Sequence, residues 1–173
     1  CASIDGTGEI GEYIRTGLKY DQFVDNFRSL LPLARNKRMM RLDYTLTLPG
    51  MFDVKNMQAL ANQLDVDILA KTIFTFTPDI IMSPLALPRK ILDRLVDQLI
   101  KNNSLGRALA DVLTQLKNRP TMEEQWPEEY AQGMRKGKKR VHTLERIRND
   151  SFTMKDILSK DKEILDWWES IDA

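Results

Sequence analysis

Cysteine and histidine are almost absent from this chain, which has one of each, Cys1 and His142. A single thiol excludes an internal disulfide framework. One thiol and one imidazole are together too few ligands for a zinc site of the ordinary type. We therefore assign no metal-ligating residue to this sequence.

The sequence also lacks long apolar runs and an excess of charge of one sign. A membrane-spanning helix needs about 20 consecutive apolar residues, and no stretch approaches that length. The N-terminus shows no basic region followed by an apolar run, which is the pattern that predicts a signal peptide. The 26 basic and 25 acidic residues leave a formal net charge of +1, which gives no attraction to nucleic acid or to a membrane. Neither is expected as a partner.

The sequence does contain the material for a folded core, because 42% of its 173 residues are hydrophobic and 29% are charged. Segments of alternating, β-branched or aromatic residues predict three strands: 1–5, Met40–Leu48 and Ile68–Thr77. Apolar residues at helical spacing predict a helix after each strand. The predicted helices cover Tyr20–Leu33, 54–64 with Asp53 as the N-terminal cap, and 91–99, which Pro88 precedes. This alternation predicts an α/β fold with parallel strands and right-handed crossovers.

The pattern changes at residues 102 and 103, after which it predicts helices only. Ser104 is a candidate cap for the first of these helices, and Thr121 with Glu124 matches a capping box. We therefore predict two parts, residues 1–101 with three strand-helix units and residues 102–173 as a helical C-terminal extension.

Three strands cannot close a barrel. They form either a small open sheet with helices on both sides or half of a larger structure. The chain starts at Cys1 and in mid-pattern, which favours the second interpretation.

Three polar side chains are candidates for a binding site at the end of the first strand. Ser3 and Asp5 lie on one face of that strand because side chains alternate with a period of two. Arg15 follows a glycine-containing loop and can fold back over the strand end, where parallel α/β sheets bind ligands. An arginine can bind a carboxylate through two parallel hydrogen bonds, and a serine can add a further hydrogen bond. The alternative is an Asp-Gly turn with a surface arginine.

These residues belong to a longer pattern that resembles radical S-adenosylmethionine enzymes, closest to those with a SPASM or twitch-type C-terminal extension. The resemblance to the family's fourth strand and following helix rests on Ser3-Ile4-Asp5-Gly6, then Glu12-Tyr13-Ile14-Arg15, then a helix with Phe27 and Leu30. Three later segments continue the resemblance. Leu42–Leu48 is similar to the family's fifth strand, and 75–88 is similar to its sixth strand with the following loop. Leu144–Trp168 is similar to the tail of small twitch-type members.

The resemblance implies the C-terminal half of a partial (β/α)6 TIM-like barrel followed by a helical extension. It also implies that Ser3 and Arg15 contact the amino-acid portion of S-adenosylmethionine, with Asp5 as a weaker candidate. Thr47 and Thr77 stand at predicted strand ends and are candidates for hydrogen bonds to the cofactor. Strand packing is the alternative role for both threonines.

In this family a 4Fe-4S cluster cleaves S-adenosylmethionine reductively, and the resulting 5′-deoxyadenosyl radical abstracts a hydrogen atom from the substrate. The cluster is held by a Cys-x3-Cys-x2-Cys motif after the first strand. This chain has one cysteine, so the ligands are expected upstream of it, and the chain alone is expected to be inactive. Auxiliary-cluster cysteines are missing as well.

The same resemblance implies partners and a compartment. The substrate is unknown, and a peptide, a sugar or a small metabolite all fit. A flavodoxin or ferredoxin is the expected reductant, and the cytoplasm is the expected compartment because a low-potential cluster needs reducing conditions.

Two other functions stay open. A non-catalytic α/β interaction module would use the basic run Arg135–Arg140 and the paired Trp167 and Trp168 as its contact surface, although a solvated helix face also explains the run. Another phosphate- or nucleotide-binding α/β protein ranks last, since the sequence has neither a P-loop nor a G-x-G-x-x-G motif.

Overall fold

The computed structural model describes residues 1–34, 39–73, 75–101 and 104–172. Within these ranges three parallel strands form one sheet in the order β1-β2-β3. Their bounds are β1 Ala2–Ile4, β2 Arg41–Leu46 and β3 Asp67–Thr72. The predicted α/β class and parallel strands are confirmed.

Helices separate and follow these strands. The α-helices are α1 Gly8–Ile14, α2 Tyr20–Leu30, α3 Val54–Leu64, α4 Arg89–Ile100, α5 Arg107–Lys117, α6 Met122–Gln125, α7 Tyr130–Arg148, α8 Met154–Leu158 and α9 Lys162–Ser170. Short 3-10 helices cover Leu31–Leu33, Pro49–Phe52 and Pro84–Ala86.

The two faces of the sheet differ in burial. One face carries residues that are 0% exposed, Ile4, Leu42, Tyr44 and Leu46. Adjacent parallel strands taken in chain order, with right-handed crossovers, place their connecting helices on one side, which accounts for this burial. We call the other side the open face. Its residues are exposed or half-buried, and they are Ser3, Arg41, Asp43, Thr45, Asp67, Leu69 and Lys71.

Two predicted strands extend too far at their C-terminal ends. The ladder between β2 and β3 stops at the pair Leu46 and Thr72. Beyond Leu46 the chain turns into the 3-10 helix Pro49–Phe52, so none of the described strands continues beside β3. Residues 47–48 and, among the described residues, 73–77 therefore lie outside the strands, and the longer predicted bounds are wrong.

Helix ends were predicted correctly where a local cap forms. The capping box between Thr121 and Glu124 is confirmed, with each side chain bonding the other's backbone N–H. Ser104 does not cap α5, whose N-cap is Gly106. The predicted helix 20–33 ends as α-helix at Leu30, because Pro32 has no N–H to continue the ladder.

Arginines on α4 join it to the helices that follow. Arg89 grips the Glu124 carboxylate through Nε and Nη2, at 3.1 and 2.7 Å, and also donates to the Lys117 carbonyl at the end of α5. Arg94 binds both oxygens of Asp161 at 2.8 Å. One hydrophobic cluster runs through both parts of the chain. The predicted division at residue 101 stays a prediction.

The Arg89–Glu124 contact predicts how stability depends on pH. Hydrogen bonds from Arg89, then from the Thr121 backbone, lower the pKa of Glu124 from 4.5 to about 2. This contribution is complete above the unfolded pKa of 4.5 and is lost as the pH falls through about 2. The free energy of unfolding of the wild type, measured with urea, should therefore exceed that of Glu124→Gln at neutral pH. The difference should shrink between about pH 5 and pH 2. A difference that stays constant over this range contradicts the assignment.

Candidate functional site

The Arg15 side chain reaches back over the end of β1 and joins Ser3 and Asp5. Its Nε donates to Asp5 Oδ2 and its Nη2 donates to Ser3 Oγ, each at 2.7 Å. The predicted meeting of hydroxyl, carboxylate and guanidinium is therefore observed. The role of these residues in binding a cofactor stays a prediction.

Glycines make this return of the chain possible. A Cβ added at Gly11 would collide with the carbonyl of Gly6, so α1 lies against the β1–α1 turn with backbone in contact. Gly8 has φ +49, a left-handed conformation that L side chains rarely adopt. This close packing brings Arg15, the C-cap of α1, back beside the C-terminal end of β1.

Arg15 has N–H donors that bond to none of the described residues. Asp5 is mostly buried, with 11% of its side chain exposed, and its second oxygen accepts the Thr45 N–H at 3.3 Å. Arg15 is 41% exposed. Among the residues that the structure describes, Arg15 Nη1 has no hydrogen-bond partner. A ligand carboxylate can therefore reach the guanidinium from the solvent side.

Thr47 is used by the fold itself. It is 4% exposed, and its hydroxyl accepts the Gly50 N–H at 3.0 Å. A Cβ at Gly50 would lie 2.9 Å from that hydroxyl oxygen, so the turn is tightly packed around it. A cofactor contact from Thr47 stays a prediction, while the structure gives the residue a place in the turn after β2.

Thr77 lies outside the cluster. It is exposed, five residues beyond the end of β3, and its hydroxyl donates to Asp79. This bond, with the nearby Arg140 guanidinium, lowers the pKa of Asp79. No hydrogen bond among the described residues joins Thr77 to Ser3 or Arg15. Its predicted cofactor role is untested.

A buried aspartate supports the site, and sequence analysis missed this role. Asp53 is 1% exposed and stands at the N-cap of α3, but its carboxylate accepts from Thr7 and from Asn56 at 2.7 Å. Burial raises the pKa of Asp53. The carboxylate ties the β1–α1 turn to α3 and so holds the segment that carries Asp5. Asp53 and Thr7 are 46 positions apart, a separation that no local pattern reveals.

A second ion pair on the open face was also missed. Lys71 Nζ lies 2.9 and 3.0 Å from the two oxygens of Asp43, on the neighbouring strand. The signal was present in the polar positions of the predicted strands. Pairing them requires the β2–β3 register, which the sequence does not specify.

The tryptophans do not form the predicted contact surface. Trp167 is 9% and Trp168 1% exposed, and the Trp167 indole donates to the Tyr130 hydroxyl at 3.2 Å. Trp168 packs against the His142 ring and beneath the Lys138 ammonium, both on α7, so different contacts bury the two adjacent tryptophans. Lys138, within the basic run, is buried too, and its ammonium donates to the Trp168 and Ile171 carbonyls at 2.9 and 2.8 Å.

No protein-family model, curated protein or solved structure matches this chain. Among the described residues, histidine, cysteine, aspartate and glutamate form no group of three or more that could hold a metal ion. None of the helices in the described ranges combines the length and apolar character needed to cross a membrane.

The site geometry predicts that Asp5 orders the Arg15 side chain. Asp5→Asn removes the charged acceptor of Arg15 Nε while keeping an oxygen for the Thr45 N–H. We expect the heteronuclear NOE of the Arg15 Nε–H group to fall and its exchange with water to quicken. The matched control is Asp25→Asn, which removes the exposed partner of Arg28 and should leave Arg15 unchanged. An unchanged Arg15 signal in Asp5→Asn contradicts the prediction.

Proposed function

We propose that this chain is the C-terminal half of the partial (β/α)6 barrel of a radical S-adenosylmethionine enzyme, followed by a helical extension. In this proposal Ser3, Asp5 and Arg15 bind the amino-acid portion of the cofactor. The observation that carries it is the Arg15 guanidinium, which Asp5 and Ser3 hold at the carboxyl end of β1 and which has N–H donors that bond to none of the described residues.

The charges of the cluster complement an amino acid. A ligand carboxylate pairs with the Arg15 N–H groups that no described residue occupies, because guanidinium and carboxylate form strong, directional hydrogen bonds. The ligand ammonium is attracted to Asp5 and can donate to the Ser3 hydroxyl. Ser3, Asp5 and Arg15 would therefore bind and orient the methionine moiety.

The sheet order supports the barrel in this proposal. Strands that follow chain order, with one face buried under helices and one open, are what a segment of a (β/α) barrel contains. In such barrels ligands lie at the carboxyl ends of the strands, where Arg15 stands.

The iron-sulfur cluster does not fit the residues of this chain. Such clusters need several thiolates, and the chain has only Cys1. We therefore derive no step through the cluster, and in the proposal its ligands belong to the rest of the protein. When bound, the cofactor supplies radical chemistry, while the protein groups orient it and exclude water. A flavodoxin or ferredoxin as reductant, a peptide among the candidate substrates and a cytoplasmic location belong to the same proposal.

The exposed cations of α7 favour the second candidate, a non-catalytic interaction module. Arg135, Lys136 and Lys139 are exposed, and the apolar Leu144 and Ile147 on the same helix are 49% and 73% exposed. Retention of a partner that depends on these residues in a pulldown, without cofactor binding, favours this candidate over the enzyme.

The proposed function predicts that the chain distinguishes S-adenosylmethionine from its decarboxylated analogue. In NMR titrations of the 15N-labelled chain, S-adenosylmethionine should shift the Ser3 and Asp5 amide signals and the Arg15 Nε signal. The analogue lacks the carboxylate that Arg15 binds and should bind about tenfold more weakly, since a charge-assisted hydrogen bond contributes about 1.5–3 kcal/mol. Arg15→Lys loses the planar guanidinium that forms two parallel hydrogen bonds, and it should also weaken the binding of S-adenosylmethionine.

Arg28→Lys is the control, because Arg28 is half-exposed and pairs only with Asp25 on its own helix among the described residues. It should leave both titrations unchanged. Equal binding of the two compounds, or shifts confined to residues away from Ser3, Asp5 and Arg15, contradicts the proposed site.

A further inference from the structure

The open face carries a second pair of opposite charges beside the Arg15 cluster. In the sheet register Asp43 stands between Ser3 and Leu69, and Thr45 stands opposite Lys71. Lys71 lies on β3 and reaches Asp43 on β2 diagonally. Neighbouring strands are about 4.8 Å apart, so β3 lies roughly 10 Å from β1 across the sheet. The width of β2 therefore separates Lys71 from the Arg15 cluster, while Asp43 is the register partner of Ser3.

Asp43 holds the Lys71 ammonium in place. Both carboxylate oxygens lie within 3.0 Å of Nζ, and 22% of the Asp43 side chain is exposed against 51% of Lys71. A lysine ammonium has three N–H donors, and its solvent-facing side remains accessible. Because the flexible side chain is already ordered, a ligand need not bear the full entropy cost of fixing it.

An exposed apolar side chain adjoins this pair. Leu69 is 46% exposed, and it stands directly opposite Asp43 in the register. The other open-face residues of the three strands are polar. Cation, carboxylate and leucine thus present three different chemistries within two adjacent strands.

The presence of Asp43 selects among anions. A phosphate dianion at Lys71 would be repelled by the neighbouring carboxylate, and arginine clusters or helix N-termini serve such ligands better. A single carboxylate suffers less repulsion. A ligand amide or amine can in turn donate to Asp43, so the charge pattern matches an amino-acid derivative.

We infer that Lys71, held by Asp43, and the exposed Leu69 form a subsite that binds the carboxylate and an apolar side chain of an amino-acid or peptide substrate. This inference rests on the proposed function, because it takes the open face as the side on which substrate meets cofactor. The adjacent Arg15 cluster then holds the cofactor, and Lys71 holds the substrate.

The test uses two probes that differ in the carboxylate, N-acetyl-leucine and N-acetyl-leucinamide, titrated into the full chain. NMR follows the Leu69 methyl groups and the Lys71 amide. N-acetyl-leucine should shift both signals at millimolar concentration, and the amide probe should not. Lys71→Met keeps roughly the length of the side chain without its charge. It should weaken the binding of N-acetyl-leucine about fivefold. Lys71→Arg should retain binding, and Lys55→Met, at an exposed lysine on α3, should change nothing.

Three outcomes overturn the inference: equal shifts from both probes, binding unaffected by Lys71→Met, or shifts at Ser3 and Asp5 alone, which would place the carboxylate on Arg15. The probes need no cofactor. Failure of S-adenosylmethionine to bind therefore counts against the proposed function, while failure of N-acetyl-leucine to shift Leu69 counts against this subsite.

Discussion

The constraint on which the structure depends is the burial of one face of a parallel sheet. Ile4, Leu42, Tyr44 and Leu46 are all 0% exposed, and burying side chains of this size contributes about 1.5–3 kcal/mol each. Because side chains alternate along a strand, burial of this set turns the intervening residues the other way. The polar residues of the open face therefore converge as a consequence of the core, and a slip of one residue in register would exchange the two faces.

Local patterns in the sequence predicted the features that local interactions determine. The alternation in β2, the capping box at Thr121 and the return of Arg15 to Ser3 each involve residues at most twelve positions apart. The end of β3 could not be predicted this way, because it depends on where β2 stops. The same holds for the Asp53–Thr7 and Asp43–Lys71 contacts, which form only once distant segments have packed.

Each cation of the candidate sites lies against an aspartate. Arg15 pairs with Asp5 and Lys71 with Asp43. The cation of each pair is solvent-exposed, and surface ion pairs contribute little to stability, about 0–1 kcal/mol. Their more important effect is to order two flexible side chains on a surface that the core leaves open. Apart from Leu69, the open face is thus polar and balanced in charge. Its side chains are arranged before any ligand arrives, which is the property that our proposals use.

The coding sequence immediately upstream of Cys1 tests the central claim most directly, because the proposed chemistry needs a cluster that this chain cannot hold. We predict that it encodes Cys-x3-Cys-x2-Cys after a strand, together with further strand-helix units that complete the barrel. An upstream sequence without these cysteines, or a start codon close to Cys1, would contradict the assignment to radical S-adenosylmethionine enzymes.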